Sequence, residues 1–84
     1  MNKSDIVYKI RDKRTGLFSK GGFSSSDELL FEKMGKTWTG LGPLKNHLRM
    51  FNVERFANWE VVTMALVEID KIDVNIVLGG QANA

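Results

Sequence analysis

One stretch constrains the fold more than any other: GLGPLKNHLRMF, residues 40–51. Leu44, His47, Leu48 and Phe51 stand at i, i+3, i+4 and i+7, which places all four on one face of a helix. Pro43, the only proline in the chain, suits the first helical position, where its missing amide is no loss and its fixed φ is already helical. Gly40 and Gly42 argue against helix before it. The spacing therefore predicts a short amphipathic helix over about 43–51, with Lys45 and Arg49 on its polar side. The segments around it read as strands, so this helix has a sheet to cover.

Asp5 to Arg11 reads as a strand with Ile6, Tyr8 and Ile10 on one face and Val7, Lys9 and Arg11 on the other. Asp12-Lys13-Arg14-Thr15-Gly16 suits a hairpin loop with a left-handed residue at Gly16. Leu17-Phe18-Ser19 then returns as a short strand, and Lys20-Gly21-Gly22 releases the chain. In Ser24 to Lys33, Ser26 is placed to cap a single helical turn. Leu29 occupies the third position after it, so the reciprocal capping box is missing, and 23–34 is expected to be a flexible surface loop. Lys36-Thr37-Trp38 reads as a short extended piece. The β-branched residues between Asn58 and Ile69 predict a strand of about nine residues. Ile72, Val74, Ile76 and Leu78 alternate with Asp73, Asn75 and Val77, the pattern of a half-buried strand, and 79–84 reads as a frayed tail. The expectation is an α+β domain: a mainly antiparallel sheet of four or five strands with one helix on one face.

Eighty-four residues form one domain, which buries roughly 60–65% of the surface its unfolded chain exposes. The absence of cysteine excludes disulfides, thiolate chemistry and the usual zinc sites. The charged N-terminus lacks the apolar core of a signal peptide. No apolar run is long enough to span a bilayer, so an intracellular, soluble protein without a membrane partner is expected. Net charge is +2, but residues 1–50 carry ten Lys/Arg against five Asp/Glu and residues 51–84 carry two against five. Such asymmetry favours a basic face or head-to-tail contact between subunits.

No catalytic signature emerges. His47 is the single histidine; without a positioned partner it reads as a hydrogen-bonded residue at the edge of the core rather than a general base. Asp70 and Asp73 are close in sequence but have no setting in which to converge on a metal. Gly35-Lys36-Thr37 resembles the end of a P-loop, but Leu30 stands where the upstream glycine belongs. Neither an enzyme nor a cofactor is expected. Lys9, Arg11, Lys13 and Arg14 cluster at the first hairpin, and Lys20, Lys36, Lys45 and Arg49 extend a basic surface if the helix packs beside it. These are the candidate contacts to RNA, DNA or a protein partner. Tyr8, Phe18 and Trp38 are candidate stacking aromatics, with core packing as the competing role. The rival expectation is a homo-oligomer, a dimer by preference, joined through an exposed strand for which 72–78 is the candidate.

YKIRDKRTGLFSKGG, the Gly35-Lys36 to Trp38 step, LGPLKNHL and NWEVV together resemble a family of small tailed-bacteriophage proteins, many of them uncharacterised. The resemblance spans most of residues 7–67. It implies an accessory phage protein in the host bacterial cytoplasm, binding a bacterial host protein, RNA or DNA. An inhibitor of a host defence or toxin system is among the roles it suggests.

Overall fold

The computed structural model describes residues 5–79. It is an α+β fold in which a four-stranded antiparallel sheet carries helices packed against it. Chain order is β1 (Ile6–Asp12), β2 (Phe18–Ser19), α1 (Asp27–Leu30), β3 (Phe31–Glu32), α2 (Leu41–Leu48), a 3-10 helix (Val53–Asn58), β4 (Trp59–Ala65) and α3 (Val74–Val77). The strands lie in the order β3-β2-β1-β4, so β4 is an edge.

The β1–β2 hairpin closes as its loop residues dictate. Gly16 adopts φ 77°, the left-handed conformation that costs glycine little. The Asp12 amide donates to the Leu17 carbonyl across the loop. The Asp12 carboxylate, itself buried, accepts from the Arg14 amide at 2.8 Å. Alternation along β1 divides the sheet into two faces. Ile10 and Asp12 are buried on one face with Trp59, Ser19 and Phe31. Val7, Lys9 and Arg11 lie on the other, opposite Met64, Val62 and Glu60.

The helix begins two residues earlier than its proline suggests and ends three residues sooner than expected. Gly40 is its extended N-cap, and Pro43 stands third in α2. That position is still within the first turn, whose amides need no intrahelical partner. After Leu48 the amides of Met50 and Phe51 donate to His47 and Leu48, three residues back, so the chain tightens and still delivers Phe51 to the core. Leu44, Phe51, Trp38, Ile10, Leu30, Phe31 and Trp59 form that core, with Tyr8, Leu17, Leu48 and Phe56 packed against it. Trp38 is held by paired backbone hydrogen bonds with Tyr8, 2.8 Å each.

Two expectations differ from the structure. Segment 23–34 is not an irregular surface piece: it contains α1 and β3 and supplies Leu30 and Phe31 to the core. Residues 72–78 are not a strand; they hold α3, with Asp73 at its N-cap and all side chains exposed. The physical reason is that β4 ends at Ala65 on the edge of the sheet. No turn brings the following residues back to a ladder, and without a neighbour alternation specifies no strand. Gly79, at φ 86°, then closes the helical turn, its amide donating to Ile76. Of the expected frayed tail, residues 80–84 lie outside the described residues.

Candidate interaction surfaces

The eight basic residues expected at a binding surface do not come together. Lys9 and Arg11 lie on the far face of the sheet, whereas Lys45 rides on α2 and Arg49 caps its C-terminus, the helix packing over the core face through Leu44. Several are already engaged. Arg11 Nε donates to Glu60 Oε2 at 2.6 Å across the β1–β4 ladder. Arg14 bonds both Asp12 and Asp27, each at 3.0 Å. Lys9 donates to the Met34 carbonyl and sits over the Phe18 ring, and Lys36 lies over Trp38 at 5.2 Å. Arg49 donates to Asn46 at 2.6 Å. Lys13, Lys20, Lys36, Lys45 and Arg49 make no ion pair among the described residues. The aromatics offered for stacking are also committed: Trp38 is buried, and Tyr8 and Phe18 are half-buried.

A charge network that the sequence does not announce lies beside the hairpin. Asp27, first residue of α1, accepts from Arg14 at 3.0 Å, from Arg55 at 2.5 Å and from the Trp59 indole at 3.4 Å. Arg55 also donates to the Ser24 carbonyl at 2.6 Å, while its guanidinium lies 5.1 Å from the centres of both Phe51 and Trp59. Asp12 is held below its ordinary value chiefly by its hydrogen bond from Arg14, against the opposing effect of burial. Of these, Asp12, Arg14 and Asp27 line an open basin of about 710 Å³ with Thr15, Ser26 and Glu28. Because Asp12 and Asp27 already accept arginine hydrogen bonds, the basin presents no free carboxylate pair for acid–base work. Among the described residues no three His, Cys, Asp or Glu side chains group to hold a metal.

His47 sits between Trp38 and Phe51, ring centres 5.3 and 5.2 Å away. Its buried Nε2 has no hydrogen-bond partner, unlike the bonded core-edge histidine the spacing suggests. Burial first, and the charge of Lys36 second, lower its pKa.

The outer edge of β4, the longer of the two edge strands, is unsatisfied. The Lys13 amide donates to the Asn58 carbonyl, and the Leu66 amide donates to Asp5, so Asn58 and Leu66 face β1. Antiparallel pairs alternate in this respect; Glu60, Val62 and Met64 also face β1, while Val61, Thr63 and Ala65 turn their N–H and C=O groups outward. None of these three has another backbone partner among the described residues. The edge carries none of the usual guards: β4 reads WEVVTMA, with no proline or lysine. Its single charge, Glu60, is spent on Arg11. On the core face beneath this edge lies an apolar notch of about 190 Å³, lined by Ile10, Leu48, Phe56, Trp59, Glu60 and Val61.

Beyond β4 the chain leaves the fold. Leu66, Val67, Ile69 and Ile72 are 58%, 69%, 93% and 61% exposed, and the apolar residues of α3 are exposed as well. The molecule measures 57 × 30 × 21 Å with a radius of gyration of 16.9 Å, against about 12 Å for a compact chain of this length. Among the described residues no helix is long and apolar enough to cross a membrane. No protein-family model, curated protein or solved structure matches the chain.

Proposed function

We propose that this is a non-enzymatic interaction protein that binds a protein partner by strand addition at β4. The observation that carries this reading is the outward row of unpaired backbone groups at Val61, Thr63 and Ala65. In strand addition the main-chain hydrogen bonds supply affinity, and pockets for alternate side chains supply selectivity. The notch under Val61 is such a pocket. The resemblance of its motifs to those of small phage proteins supports an accessory role in an infected bacterium, in which the protein acts by occupying a partner rather than by chemistry.

Nucleic-acid binding is the second reading, favoured by the six candidate basic residues that make no ion pair among the described residues: Lys9, Lys13, Lys20, Lys36, Lys45 and Arg49. Their separation over two sides of the domain, and the pairing of Arg11 and Arg14 with acids, rank it lower.

The decisive variant is Thr63→Pro. The Thr63 amide points away from β1, so proline there removes an outward donor and no ladder bond. Affinity capture from expressing cells, with and without nuclease, should yield a nuclease-resistant protein partner that Thr63→Pro loses. Capture that vanishes with nuclease and ignores Thr63→Pro would contradict the reading and support nucleic-acid binding.

A further inference from the structure

We infer that the strand added to β4 is the β4 of a second copy, paired antiparallel about a two-fold axis through Val62, with each C-terminal arm laid along its partner. The inference rests on the strand-addition reading and names its partner.

The backbone limits the register, because outward residues must meet outward residues. Of the registers this allows, the one centred on Val62, the midpoint of Trp59–Ala65, pairs the whole strand: Val61 lies opposite Thr63 and Trp59 opposite Ala65 of the other copy, with Val62 facing Val62 in a non-hydrogen-bonded pair. An isologous contact of this kind is closed, as most homo-oligomers are. Like charges are not opposed, because Glu60 faces Met64 of the other copy. On the far face of the sheet, Val62 and Met64 of both copies then form one apolar strip. Val62 and Met64 are only half-buried in the single chain.

The arm supplies the second line of evidence. In this register the residues after Ala65 run past Trp59 of the other copy and alongside its 3-10 helix Val53–Asn58. There they meet the exposed Val53 and the notch formed by Leu48, Phe56 and Trp59. Alternation directs Thr63, Ala65 and Val67 toward that notch and the core face. Charge agrees as well. The arm carries Glu68, Asp70 and Asp73 against one lysine, Lys71. In this register its first residue, Leu66, lies opposite Asn58, with Lys13 one strand further in. Area points the same way: a stable interface buries ~1,200–2,000 Å² in total, more than two seven-residue strands offer alone. The exposed apolar side chains of 66–78 make up the difference.

The test uses the absence of cysteine in the chain. Single-cysteine variants Val61→Cys, Val62→Cys and Thr63→Cys are purified and oxidised, and native mass is read by sedimentation from about 1 to 200 µM. The expected result is a dimer for the unmodified protein and a monomer for Thr63→Pro. Val62→Cys should cross-link at least tenfold faster than its neighbours, since position 62 alone meets itself. Thr63→Lys, a milder edge guard, should also be monomeric if Thr63→Pro fails to fold. A strict monomer at 200 µM, or equal cross-linking at all three positions, would overturn the inference. Nuclease-resistant capture that Thr63→Pro abolishes, combined with a strict monomer, would leave strand addition standing and replace the second copy by a different protein. Failure of both would remove both readings.

Discussion

Arg55 joins segments distant in sequence, although its surroundings in the sequence give no sign of it. It bonds Asp27 and Ser24 and covers Phe51 and Trp59, tying the segment before α1 to the 3-10 helix. Its side chain is 19% exposed, so the pair is worth more than a surface bridge. Arg55→Ala should cost about 2–3 kcal/mol in denaturant unfolding, and Arg55→Lys less, because the ammonium keeps the charge but not the fork. His47 makes a prediction of opposite character. Its folded pKa lies below its unfolded value of 6.5, so the unfolded chain takes up protons first. The stability it contributes is fully present above pH 6.5 and is lost as pH falls through the folded value. Unfolding measured between pH 7.5 and 5 should show this loss, and His47→Phe should flatten it. Asp12 is also lowered, but from 3.8, so its loss comes only in stronger acid.

At the scale of elements, two glycines that look alike in sequence differ in consequence. Gly16 has φ 77° with open space around it, whereas Gly35 has φ 67° with Phe18 Cβ and the Ser19 carbonyl against the place a Cβ would occupy. Gly16→Ala should therefore cost about 1–2 kcal/mol, from the left-handed conformation alone. Gly35→Ala should cost about 2–4 kcal/mol because the β2 backbone cannot move aside. Thermal or denaturant midpoints of the two variants give the comparison. The hairpin at Gly16, strand β1, the apolar face of α2 and the body of β4 were all legible, because each has a local cause: a turn residue, a period of two, a period of 3.6 or a β-branched run. What was not legible depends on distant partners. Asp27 among its serines looks like solvated surface until Arg14, Arg55 and Trp59 converge on it. Ile72 to Leu78 alternates like a strand, but only a neighbouring ladder makes alternation into sheet. The basic residues were visible one by one; that Arg11 meets Glu60, 49 positions away, is set by the β1–β4 register. For the same reason the free edge fell on β4 rather than on 72–78.

At the scale of the whole molecule, a compact half carries the core and an apolar arm projects from its edge strand. Among the described residues the arm contributes nothing to the core cluster, so its exposed apolar surface is a cost for the isolated chain that a partner would relieve. If that partner is a second copy, thermal unfolding becomes concentration-dependent by mass action. The midpoint should rise across a hundredfold range of protein concentration, and for Thr63→Pro it should stay constant.

The central claim, that the outer edge of β4 is the binding element, is tested most directly by amide hydrogen exchange at single-residue resolution as protein concentration is raised. In dilute solution the amides of Glu60, Val62 and Met64, which bond β1, should exchange slowly, and those of Val61, Thr63 and Ala65 rapidly. At high concentration the three outward amides should become protected as well. Outward amides that exchange rapidly at every concentration would contradict self-pairing, and outward amides already protected in the most dilute sample would contradict the free edge itself.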